Sequence, residues 1–380
     1  MRGSSSRGHW GHVSRRGGPP ADVLSPPVTA DGLPSFGHHT AVAPARGRRL
    51  LDGALARPSL AAFVGLAVVL AFFVPQAPHL LSTGGLASAL DAAALLGIGG
   101  VAVALLLVSG HFDLSIGMVS VGSALLTGVL IAEAGWGTWP ALAGSLAVAL
   151  LVGLVNGWLV VTTGVPSFLV TLATFLVLQG VALAGTRSLT RSVRVDGLDG
   201  APGWSSAATV FGSTVQVGDG RFRVSLLWWL LLTVWASWVL WRTRFGNGVF
   251  AVGGARRAAR ELGVPDRRTT VVLYCCTAAA GWLVGTLGVV RLGGVQASTG
   301  LGTAIEFIVV AVIGGCLLTG GYGSAVGAAV GALLYATARQ GVVLAGWDAR
   351  WFEAFLGVLL LVALLANGVV RGRLRAVPRS

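Results

Sequence analysis

The chain has 380 residues, 54% of them hydrophobic and 11% charged, with a formal net charge of +13. A soluble domain carries about 25% charged residues, so this composition is that of an integral membrane protein. No lysine occurs anywhere, which excludes a self-contained P-loop ATPase and Schiff-base chemistry, since both need the lysine amine.

Residues 1–57 are rich in Gly, Pro, Ser and Arg and read as a disordered basic tail. The histidines His9, His12, His38 and His39 are scattered through it without the spacing of a metal site. From residue 58 to 370 follows a membrane domain of the all-α class, with ten predicted spans near 59–79, 86–108, 114–133, 139–162, 166–185, 225–241, 270–290, 304–319, 325–345 and 352–370. Each run is close to the 20 apolar residues that cross a ~30 Å hydrocarbon core. Several runs contain internal glycines, which membrane helices tolerate where neighbouring helices re-satisfy the backbone. Trp228, Trp229, Trp238 and Trp241 lie toward the ends of one span and read as interface anchors. Cys275, Cys276 and Cys316 sit in apolar runs and read as small buried hydrophobes. Gly323, Gly327 and Gly331 form a ridge of small residues suited to close helix packing.

Arginine placement predicts the orientation. Eight arginines precede residue 58, seven lie in a 242–269 loop, and four follow Val370 in a short basic tail, 371–380. Ten spans put all three regions on one side, which the positive-inside rule makes cytoplasmic, so a multi-pass plasma-membrane protein with both termini cytoplasmic is expected. The 186–224 loop then faces outward, although it carries five arginines against Asp196, Asp199 and Asp219.

The 242–269 loop contains Gly253, Gly254, Ala255, Arg256, Arg257, Ala258, Ala259, Arg260, Glu261, Leu262 and Gly263. Gly263 followed by Pro265 is a helix stop signal. A short helix here places Ala255, Ala258, Ala259 and Leu262 on one face and Arg256, Arg257, Arg260 and Glu261 on the other. Two turns are too short to persist alone in water. The segment therefore reads either as a plug for a cytoplasmic partner's groove, its register fixed by arginines, or as a charged loop resting on anionic headgroups.

The stretch TRFGNGVFAVGGARRAARELGVP resembles the cytoplasmic coupling loop of permease subunits in bacterial ABC importers of the ribose, xylose and galactose class. Thr243, Phe245, Gly246, Ala251, Gly253, Gly254, Ala258, Ala259 and Gly263 match that family's pattern, and Ala255 stands at its Asn position. GHFDLSIG is similar to the family's G-G-x-D-L-S-V-G with His111 at the second glycine, and VPSFLVTLATFLVLQG and GLGTAIEFIVVAVIGGCLLTGGYGS resemble two further segments. The resemblance spans roughly residues 60 to 370, and it implies that some helices are broken or re-entrant, one of them at the Asp113 motif. It implies a permease with no bound cofactor that pairs with a second permease copy or a related chain. Two separate ABC ATP-binding subunits would hold ATP and Mg and dock from the cytoplasm, and an extracytoplasmic solute-binding protein would deliver a sugar from the other side. No nucleic acid is expected as a partner, and no catalysis in this chain.

Ionisable groups within membrane segments are functional candidates. Asp113, at the head of the DLSIG span with Ser115 nearby, can cap a helix start or touch a solute. Glu306 matches the family's acid and reads as a gating, helix-start or ligand residue. Ser167, Phe168, Thr171, Thr174 and Gln179 supply the hydroxyls, amide and ring that bind sugars. The same hydroxyls also suit hydrogen bonds between helices, as does Asn156. An ion-coupled secondary transporter is the alternative, with Asp113 and Glu306 as its coupling carboxylates. A membrane-bound enzyme is a further one, but the spans contain no cluster of His, Asp or Cys.

Overall fold

A computed structural model describes residues 59–297 and 300–376, with side chains described as far as residue 368. The expected tail over 1–57 lies outside the described residues. Helices α1 (Leu60–Phe73), α2 (Thr83–Val108), α3 (Ser115–Ala132), α4 (Thr138–Thr163) and α5 (Ser167–Thr190) come first. A small helix α6 (Trp204–Phe211) and an antiparallel hairpin, β2 (Thr214–Val217) with β3 (Gly220–Arg223), follow the two-residue strand β1 (Arg194–Val195). Then come α7 (Ser225–Arg242), α8 (Arg244–Glu261), α9 (Asp266–Leu292), strand β4 (Val295–Gln296), α10 (Leu301–Ile313), α11 (Ala325–Leu344) and α12 (Trp351–Ala376).

Every predicted span contains a helix, and eight of them are long and apolar enough to cross a membrane. The other two, α1 with 14 residues and α10 with 13, reach only about 20 Å at 1.5 Å per residue. The reason for the second is in the backbone: Gly315, Gly320, Gly321 and Gly323 all have positive φ, so the chain from 314 to 324 leaves the helix and turns back. The last helix runs on to Ala376, so residues 371–376 are helical where the sequence predicted a tail.

Successive spans sort the connections to two ends of the bundle. One, the hairpin end, holds 74–82, 133–137, 191–224, 293–297 and 345–350. There β1 pairs with β4, and the Thr83 hydroxyl donates to Asp219, which holds that exposed carboxyl below its usual pKa. Asp91 accepts from Arg291 at 2.8 Å and lies 3.1 Å from Arg223, which ties α2 to α9 and the hairpin. The opposite, hinge end holds 109–114, 164–166, 243–265 and 314–324.

The core is built around α2, which is buried along most of its length. Small residues let neighbours approach it: the Gly99 backbone abuts the Phe307 ring, and Gly97 abuts Trp229. The predicted glycine ridge serves in the same way, as Gly327 and Gly331 pack against the α10 terminus at Gly314. The tryptophans divide. Trp238 and Trp241 are exposed as anchors should be. Trp228 instead stacks on Phe211 and donates to the Val210 carbonyl, and Trp229 packs inward. Cys316 is buried, and Cys275 and Cys276 are partly so.

Candidate functional site: a gated polar cavity

At the hinge end, two glycine turns meet the glycine-bearing middle of α8. The Gly321 amide donates to the Val108 carbonyl at 2.8 Å. A Cβ on Gly320 would lie 2.8 Å from the Gly110 Cα, and one on Gly253 would strike the Val108 carbonyl oxygen and come within 2.6 Å of the Gly321 nitrogen. Real Cβ atoms do not approach so closely, so only glycine fits. The turn after α2, the turn after α10 and the middle of α8 therefore touch backbone to backbone.

Helix α8 is longer than the sequence predicted, and it is broken. Thr243 caps it, accepting from the Gly246 amide at 3.1 Å. Ala255 leaves helical geometry at φ −157°, ψ 81°. The second arm carries the predicted short helix, closed by Gly263 at φ +79° with the Val264 amide bonded to the Ala259 carbonyl. Its faces differ from the expectation. Of the four apolar residues only Ala259 is buried, while Ala255, Ala258 and Leu262 face outward, Leu262 being 84% exposed. Nor are the arginines all free to fix a partner's register. Arg260 donates to Asp266 at 2.6 Å and Arg256 at 3.2 Å, which clamps the arm onto the start of α9. The sequence expectation missed this because Asp266 lies beyond the stop signal.

The predicted pathway residues fall into two groups. Asp113 is buried and accepts from the Ser115 amide at 2.8 Å, the Ser115 hydroxyl at 2.6 Å and the Thr277 hydroxyl at 2.7 Å. Asn156 donates to Ser115 at 2.9 Å, and Thr174 donates to Asn156 at 2.6 Å. Ser167 accepts from the Phe112 amide and Thr171 from the Leu114 amide, which satisfies the non-helical turn before α3. Tyr274, not anticipated, donates to the Phe112 carbonyl at 2.8 Å. These bonds join α3, α4, α5 and α9 into one closed network. Phe168 points outward and Gln179 is half-buried outside the network.

Glu306 lies elsewhere, on the wall of a cavity of about 680 Å³ framed by α2, α3, α9, α10 and α11. Ser88, Asp91, Ser120, Arg291, Gln296, Thr303, Arg339 and Gln340 share that wall. Glu306 accepts from the Tyr335 hydroxyl at 2.8 Å and has Arg339 at 4.0 Å. Asp91 and Gln296 place the cavity toward the hairpin end. Sequence analysis did not single out Asp91, Arg339 or Gln340 as site residues. Their one signal was a charge or amide within an otherwise apolar run. A second cavity of about 330 Å³, between α3, α4 and α5, is walled mainly by aliphatic side chains and has no charged group.

A bundle of apolar helices with a polar cavity toward one end and a surface helix touching its hinges at the other is the architecture of a membrane transport subunit. Residues 85–364 match the family described as the branched-chain amino acid transport system permease component, and the chain belongs to that family. It is 32% identical to a probable ABC transporter permease protein of Sinorhizobium fredii, over 83% of this chain and 91% of that protein. The fructose import permease protein of Rhizobium meliloti is 31% identical over 74% of this chain and 77% of its own length. An autoinducer 2 import system permease protein of Escherichia coli is 29% identical over 80% and 86%. No solved structure matches significantly. The chain is thus a multi-pass permease component of an ABC importer, a transporter component and not a member of a catalytic enzyme family.

Proposed function

We propose that this permease passes a monosaccharide or a similar small polyol through the cavity bordered by Glu306, with both termini cytoplasmic and the hinge end facing the cytoplasm. Seven arginines between 242 and 268 support that orientation. The import permeases for fructose and autoinducer 2 among its relatives support the solute class. The cavity wall of hydroxyls, amides and paired charges suits a neutral polyhydroxylated solute, whereas the aliphatic cavity does not.

An ATP-binding subunit, holding ATP and Mg, docks on the exposed residues Ala255 and Ala258 of α8 and Leu262 just after it. A solute-binding protein delivers to the hairpin end, and a second permease copy or a related chain completes the pore. The observation that carries this reading is the contact of Gly253 with both hinge turns: a shift of α8 would displace the turns that follow α2 and α10, two helices whose other halves line the cavity. Ala258→Trp tests it. Solute-stimulated ATP hydrolysis by the assembled importer should fall at least tenfold with the melting temperature of the permease unchanged, because Ala258 is exposed. Undiminished transport would overturn the docking role. Ala259→Trp should instead lower the melting temperature, because Ala259 is buried.

A further inference from the structure

Beside the second arm of α8 lies a recess of about 400 Å³, lined by Val160 to Gly164 at the end of α4 and by Arg256, Arg257, Arg260 and Arg267. Asp266 is the carboxylate that meets this cluster, and it is taken by Arg256 and Arg260. Among the described residues Arg257 and Arg267 have no ion pair, and the exposed Glu261 does not line the recess. The C-terminus of α4 offers about half a negative charge at most. Four guanidiniums against one carboxylate leave the recess strongly positive.

Its position says which anion suits it. The wall it shares is the last turn of a membrane-spanning helix. Along that helix Leu151, Leu154, Val155 and Trp158 are all exposed, at the i, i+3, i+4, i+7 spacing of one face. Thr162, one turn further on, is the first exposed residue of that lane to line the recess. An apolar track ending in a basic recess is shaped for one molecule with acyl chains and an anionic head. A soluble phosphate or an acidic protein loop would use the recess and leave the track unused.

We propose that this recess binds the phosphate of an anionic phospholipid, with Arg257 and Arg267 as its guanidinium donors and an acyl chain along the Leu151–Trp158 face. The site shares no residue with the solute cavity or with the docking residues Ala255, Ala258 and Leu262. It makes the seating of the second arm of α8 depend on lipid composition, because Arg256 and Arg260 belong to the same cluster.

The test is native mass spectrometry of the full chain in detergent, titrated separately with phosphatidylglycerol and phosphatidylcholine. Wild type should retain phosphatidylglycerol at least tenfold more tightly. Arg257→Gln with Arg267→Gln should weaken that retention about thirtyfold, at about 1 kcal/mol for each arginine near an anionic surface, and leave phosphatidylcholine unchanged. The paired Arg→Lys variant keeps the charge and should retain most of the preference, which separates loss of the site from misfolding. Equal retention of both lipids by wild type, or an unaltered preference in the Gln pair, would overturn the proposal. So would displacement of the lipid by 5 mM inorganic phosphate (about the concentration a weak anion site needs), which would assign the recess to a soluble anion. Disulfide formation between two copies carrying Trp158→Cys would place protein, not lipid, on the track and overturn it equally.

Discussion

Two polar regions lie within the apolar bundle, and they are built on opposite plans. Around Asp113 each polar group meets another: Ser115, Thr277, Asn156 and Thr174 form a continuous chain of bonds between 2.6 and 2.9 Å. Around Glu306 the polar groups face about 680 Å³ of space, and Arg339 stands 4.0 Å from the carboxylate. Hydroxyls and carboxylates of the same types thus do two jobs. Closed on one another they join helices, because a buried polar atom without a partner is costly. Left facing a cavity they are available to a solute.

The largest effect that would test this contrast comes from Asp113→Ala. It leaves the Ser115 amide and hydroxyl without their acceptor in a buried site, each at about 1–3 kcal/mol, while the Thr277 hydroxyl keeps the Tyr274 carbonyl at 2.9 Å. The permease should fail to accumulate in folded form, read as loss of a monodisperse peak in mild detergent. Recovery of normal folded protein with only a changed solute preference would move Asp113 into the pathway.

Glu306→Gln is expected to do the reverse. Glutamine still accepts from the Tyr335 hydroxyl, so the melting temperature should stay near that of wild type. Uptake efficiency should drop about tenfold, which corresponds to about 1.4 kcal/mol. Uptake at the wild-type rate in reconstituted vesicles would remove Glu306 from the cavity's function.

Thr174→Val removes one bond from the closed network. It should cost about 1 kcal/mol of stability and leave the KM for uptake unaltered. A raised KM with unchanged stability would blur the distinction between the two regions. Smallest is Ala255→Asn, outside both. It adds a side-chain cap where the second arm of α8 begins and should stabilise that arm by roughly 0.5–1 kcal/mol, seen as slower amide exchange over 256–262.

The ten helices were legible in the sequence because apolar runs of span length have few other uses. The break at Ala255 and the stop at Gly263 left local signals, a glycine pair before one and a Gly-x-Pro after the other. Which of their two expected roles Ser167, Thr171 and Thr174 take, solute contact or bonds between helices, was not legible. Their helical spacing put Ser167, Thr171 and Thr174 near one face, but spacing does not tell whether that face meets a cavity or the Phe112–Leu114 backbone. The clamp of Arg256 and Arg260 on Asp266 was hidden for a related reason: a charge run without its partner looks free.

The sequence by itself determined that the chain lives in a bilayer, how many times it approaches crossing it, and where arginines gather. Composition and period are properties of each segment alone, and lipid imposes the same demand on all of them. Only the tertiary structure decided which polar residues close on one another and which border open space, and that Gly110, Gly253 and Gly320 meet at one point. Those are contacts between segments far apart in the chain, fixed by how small residues let backbones approach, and no single segment carries them.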